Sequence, residues 1–154
     1  MSNPEHRKLH FENFSEAIAE AERLAQVDTR TTGRFSHGQI IDHLARTLQT
    51  VTGDRQAPAV PFLLRAVLRL MRNRVTQKPM KPGTRLPQKV QPLFWSTEDV
   101  PLDQAMTSLR QSVQRFEQCD PFPPHPLFGE MTPEQHRQLQ CRHFELHLGF
   151  IHEA

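Results

Sequence analysis

Apolar residues recur at three- and four-residue intervals in four stretches of the chain, and no stretch alternates with the period of two that a half-buried strand requires. The first stretch runs from about Phe14 to Gln26, with Phe14, Ile18, Ala21 and Ala25 on one stripe and Asn13 or Ser15 placed to cap it. The second opens on Ser36-His-Gly-Gln39, a capping box in which a serine and a glutamine three residues later satisfy otherwise unpaired amides. Ile40, Ile41, Leu44, Leu48 and Val51 then form its apolar stripe. The third covers about Leu102 to Glu117, and Pro101 suits its first turn, where a missing amide costs nothing. The fourth opens on a second capping box, Thr132-Pro-Glu-Gln135, and continues to about Ile151.

Between the second and third stretches lies a shorter helical segment, Pro61 to Arg74, followed by a loop from Thr76 to Pro92 whose four prolines and one glycine forbid a regular element along its whole length. Four amphipathic helices with one long connection predict an all-α fold, a four-helix bundle with a long crossover. A length of 154 residues fits one domain, residues 1–154, large enough to bury roughly two thirds of the surface of its unfolded chain.

Charge changes the picture of the crossover. The net charge is only +2, yet between Asp54 and Glu98 there are nine basic residues and no acidic one, which defines a basic crossover segment at about residues 55–95. On the Pro61 to Arg74 helix, Arg65, Arg69 and Arg72 form one stripe and apolar residues fill the rest. Such a segment is expected to be a crossover helix that packs by its apolar side and leaves a solvated arginine face. Two other readings stay open: docking on an anionic membrane or phosphate backbone, and attraction of an anionic substrate to a nearby site. No run approaches the ~20 apolar residues of a membrane span, and the N-terminus lacks the apolar core of a secretion signal, so the cytoplasm is the expected location. Cys119 and Cys141 form no CxxC pair and are expected to be buried free thiols.

The candidate chemistry lies in the fourth stretch, where Cys141 to His152 holds three histidines. At about 100° per residue, His143 and His147 project beside the Leu139, Leu146 and Phe150 stripe, His136 shares that face, and His152 points the opposite way, toward solvent. Two imidazoles four apart can serve one ion. The spacing alone is weak evidence: His6 and His10 repeat it in an unpatterned segment with no site attached. His43, on the shoulder of the second helix's apolar stripe, supplies a third imidazole that can face the pair. A shared ion would satisfy three otherwise buried acceptors and keep coordination positions open. The competing reading is three core histidines, each hydrogen-bonded through one ring nitrogen. Asp42 and Glu145 project away from the histidine face, so neither is expected to act as a general base, and Glu145 is expected to be solvated.

Three segments carry a resemblance: Gly33 to Ala45, the His125-Pro-Leu-Phe-Gly129 motif leading into Thr132-Pro-Glu-Gln135, and Arg142 to Leu148. Together they resemble the DinB-like superfamily, and within it a subfamily catalogued as a domain of unknown function. The resemblance spans about Leu9 to Ile151. It implies a four-helix bundle of the DinB-like or YfiT-like, metal-dependent hydrolase type, a divalent metal on His43, His143 and His147, and a homodimer. Phe35 and His136 stand where relatives often have tryptophan. His136 is expected to be an ordinary exposed residue or a polar group above the site, Gln140 a partner beside His147, and His125 a structural loop element or a group lining the site.

The metal expected from imidazole ligands is zinc or nickel, with iron also suited. An open ion can lower the pKa of a bound water or thiol, and the resemblance implies a metal-dependent transferase or hydrolase acting with a small thiol or anionic small molecule. The alternative is a non-enzymatic metal-binding or anionic-surface-binding bundle that acts through a partner.

Overall fold

The computed structural model describes residues 5–154. Among them, seven helices and one pair of short strands follow in the order α1 (Phe14–Leu24), β1 (Thr29–Thr31), α2 (His37–Thr52), α3 (Phe62–Leu70), α4 (Arg72–Gln77), α5 (Gln91–Phe94), α6 (Leu102–Glu117), α7 (Pro133–Leu148) and β2 (Ile151–Glu153). The molecule is therefore mostly helical, as the periodicity predicts.

Both capping boxes form. The Gln39 amide donates to Ser36 Oγ (3.2 Å) and the Ser36 amide to Gln39 Oε1 (2.9 Å). Gln135 and Thr132 repeat the exchange at 3.1 and 2.9 Å. Asn13 caps α1 through the Glu16 amide. At the far end of α2, Gly53 takes φ 85°, the left-handed conformation that closes a helix without a Cβ penalty.

One apolar core joins the four long helices. Phe14, Leu24, Ile41, Leu48, Leu109, Phe116, Phe144 and Leu148 all belong to it. The α2 helix lies along α6, α1 lies along α7, and α2 touches α7. Gly38 makes the first of these approaches possible, because a Cβ there would sit 1.7 Å from the Val100 carbonyl oxygen. The start of α2 is thus pinned to the chain entering α6, one turn before His43.

Several expectations are corrected. The fourth helix stops at Leu148, and the chain turns into β2, which pairs antiparallel with β1 (Arg30 opposite His152). His152, expected in solvent, is therefore buried. Glu145 is buried too, because the segment before α1 covers the back of α7. Glu145 Oε1 accepts from the Phe11 amide (2.7 Å) and Arg142 (2.8 Å), while Arg142 also donates to the Phe11 carbonyl (2.6 Å). His6 donates to the Leu146 carbonyl at 2.7 Å, so it too helps dock this segment.

The crossover helix splits into α3 and α4, and α3 is turned the opposite way from the expected packing. It buries none of its residues. Its apolar side faces solvent, while Arg72 donates to the Glu130 carbonyl (2.7 Å) and the Arg69 side chain lies against Gly129. Among the described residues, no helix is long and apolar enough to cross a membrane.

Candidate metal centre

His43 sits in the second turn of α2, and His143 and His147 one turn apart near the end of α7. Their contact is what brings three imidazoles together. His43 Nε2 stands 3.1 Å from His143 Nε2 and 3.2 Å from His147 Nε2. One ligand atom from each lies within 4.8 Å of the others.

The tautomer of His43 follows from its second nitrogen. Nδ1 lies 3.0 Å from the Phe94 carbonyl oxygen, which only accepts, so Nδ1 carries the proton and Nε2 presents a lone pair to the other two rings. One imidazole can donate into that lone pair, and two cannot share it well. A divalent ion resolves the conflict by accepting all three. Three nitrogens about 2.0–2.1 Å from one tetrahedral ion stand roughly 3.4 Å apart, close to the spacings found. The residues present fit a metal. The set contains three neutral imidazoles and no carboxylate or thiolate.

Electrostatics agree with neutral ligands. Burial pushes the His143 imidazole down to about 4 and His147 well below its ordinary range. His43 falls well below as well, through burial first and then the His143 ring beside it, with the Phe94 carbonyl opposing.

Phe94 and Trp95 were not signalled by periodicity, since they end the proline-broken crossover. Trp95 stacks flat on His43 (centroids 3.9 Å, planes 3° apart), and Phe35 stacks on Trp95 (3.7 Å, 10°). The His43 imidazole is thereby held in both tautomer and ring plane by the crossover. Replacing such supporting groups typically weakens metal binding 10–100-fold. Trp95→Ala is expected to raise the dissociation constant for zinc by about that factor while the Phe94 carbonyl contact persists, as read by competition with a chelating dye. Unchanged affinity would deny the stack any part in holding the ligand.

The remaining candidates are not among the three converging imidazoles. His136 is 1% exposed and not the surface residue expected; Phe122 stacks on it (4.2 Å, 17°). Neither ring nitrogen of His136, nor Gln140 Oε1, nor His143 Nδ1 has a hydrogen-bond partner among the described residues. Gln140 shares the buried face but makes no bond to His147 through that oxygen. His125 sits in the loop before α7: its Nδ1 accepts from the Leu127 and Phe128 amides (3.1 and 3.4 Å), and its backbone pairs with Gly129. Asp42 turns aside to Arg46 (2.7 Å). Arg69 and Arg72 lie against the loop before α7, and among the described residues no hydrogen bond joins Arg65, Arg69 or Arg72 to the histidines. Cys119 and Cys141 are free and buried, as expected, and burial raises the Cys141 thiol to about 11.

No curated protein and no solved structure matches the chain. Residues 3–154 match the family model described as "Protein of unknown function (DUF1569)". With a match over almost its entire length, the chain belongs to the DUF1569 family of proteins of unknown function.

Proposed function

We propose that this protein is a DinB-like four-helix bundle with a long crossover that holds a divalent metal on His43, His143 and His147, and that it performs a transfer or hydrolysis with a small thiol or anionic small molecule. The observation that carries the reading is the convergence of three Nε2 atoms, with the His43 tautomer fixed by the Phe94 carbonyl. Zinc or nickel suits this donor set best, and ferrous iron also fits.

When bound, the ion would supply a Lewis acid that activates a water or thiol at neutral pH. The chain's own residues do the rest. Three neutral imidazoles leave the charge of the ion uncompensated, which favours an anionic fourth ligand. His43 and Trp95 hold one wall rigid, while His143 and His147 retain partial exposure, so the open side lies toward α7. Buried Glu145 and half-buried Asp42 are engaged with Arg142 and Arg46, and neither serves as the base here. The homodimer implied by the resemblance belongs to the same reading and is checked by light scattering.

The test is elemental analysis of purified protein beside a His43→Ala, His147→Ala double variant. Near-stoichiometric metal is expected in the native chain and background metal in the variant. Equal content in both would refute the site. For the substrate class, a panel of small thiols and carboxylic acids added to metal-loaded protein is expected to raise the melting temperature for at least one member, because a ligand that binds only the native state stabilises it. No shift across the panel would sink the thiol and acid assignment.

A further inference from the structure

The α3 helix is built inside out. Leu70 is 87% exposed, Leu63 77%, Phe62 72% and Val67 55%, and the helix buries nothing. Monomeric proteins scatter single apolar residues on their surface, but they rarely leave a contiguous apolar helix face in water without a use for it. Leu63 and Leu70, seven residues apart, fall roughly 20° from one another around the axis, so this is one ridge and not a set of unrelated positions.

We propose that α3 is a docking surface for an anionic lipid bilayer, with its axis in the plane of the interface and its apolar ridge among the headgroups and upper acyl chains. Three observations select this occupant. The first is charge. The segment from residue 55 to 97 carries nine basic residues and no acidic one. Of these, Arg74 and Lys78 are exposed just beyond the ridge. An apolar face flanked by Lys and Arg is the composition that seats an interfacial helix on negative headgroups.

The second observation is shape. A peptide or partner helix docks in a groove whose walls are partly buried, whereas α3 is a convex ridge, suited to a planar and deformable surface. At nine residues it is about 13 Å long, enough to lie in the interface and far too short to span. The third is the direction of the arginines. Nucleic acid would be gripped through a row of cations, yet Arg72 and Arg69 turn back onto Glu130 and Gly129, and the ridge itself presents apolar side chains, with cations only at its flank. A second copy is disfavoured by the same charge, since a two-fold interface centred on α3 would bring two acid-free basic segments face to face. This inference stands apart from the metal centre and does not depend on it.

The test is co-sedimentation of the full chain with vesicles of phosphatidylcholine alone and of phosphatidylcholine mixed equally with phosphatidylglycerol, at low and at high salt. Binding to the mixed vesicles, weakened by salt and near background on phosphatidylcholine, is expected. Leu63→Ser with Leu70→Ser should weaken it by roughly tenfold or more, given the area each leucine would bury. Arg74→Gln with Lys78→Gln should cost about tenfold at low salt. All four positions are exposed, so the variants should fold, which circular dichroism verifies. The proposal is overturned if the native chain stays in the supernatant with anionic vesicles, or if the leucine variant binds as the native chain does. Retention on polyglutamate lost by the same leucine changes, without vesicle binding, would assign the face to an acidic protein instead. Self-association lost by those changes, again without vesicle binding, would assign it to a second copy.

Discussion

Loading the metal-free protein with zinc to a free concentration about a thousand times the dissociation constant should stabilise it by about 4 kcal/mol. For a chain of this length the melting temperature then rises on the order of 10 °C. The direction follows from the site itself. In the unliganded fold, His43 Nε2 faces two further ring nitrogens at 3.1 and 3.2 Å with only one good acceptor geometry among them. The unfolded chain loses that juxtaposition, so the ion prefers the native state and its binding free energy becomes folding free energy. The His43→Ala, His147→Ala variant keeps one imidazole and should show no comparable shift under the same zinc concentration. Differential scanning calorimetry reads both. A shift of equal size in the variant would mean that the ion binds elsewhere, and no shift in the native chain with zinc, nickel or ferrous iron would remove the metal from the account.

The site was legible to the extent that it is local. His143 and His147 share a face because of helix geometry alone, and the capping boxes at Ser36 and Thr132 set where α2 and α7 begin, so the periodicity itself places a third histidine, His43, where it can face the pair. The support for that third histidine is not legible in the sequence. Trp95 reaches His43 only because the crossover returns across the end of α2, and nothing periodic marks a chain segment that comes back from some fifty residues away.

Glu145, His152 and α3 depart from helical-wheel expectation for a second, shared reason. A helical wheel divides one helix into a core side and a solvent side, and it has no means of representing a cover supplied by another part of the chain. Glu145 and His152 sit opposite the core stripe of α7 and its continuation, yet the segment ending at Phe11 and the strand β1 close over them. The wheel also distinguishes the two faces of α3 without saying which turns inward. There the outcome is set by Arg69 and Arg72 meeting the Gly129–Glu130 loop, a contact between residues about sixty positions apart.

Acidification should destabilise the metal-free protein well above the pH at which its carboxylates titrate. Burial holds the His136 imidazole at about 4 and the His125 imidazole at about 3, against an ordinary value near 6.5 in the unfolded chain. Between those values the unfolded state binds protons that the folded state refuses, so stability is intact above pH 6.5 and falls as the pH drops toward the folded value. By pH 5 the loss from His136 alone is about 2 kcal/mol. Paired carboxylates do not contribute in this window. Glu20 and Glu22, held below their ordinary range chiefly by hydrogen bonds from Arg23 and Arg110, give up their stabilisation only at lower pH. Urea unfolding of metal-free protein at pH 7 and pH 5 measures the loss, and His136→Phe isolates one share of it. Phenylalanine keeps the stack on Phe122 and removes two ring nitrogens that lack partners, so the variant should lose about 2 kcal/mol less than the native chain over the same interval. Equal losses would show that His136 takes up its proton as readily in the fold as out of it, and the buried, neutral imidazole described beside Phe122 would have to be abandoned.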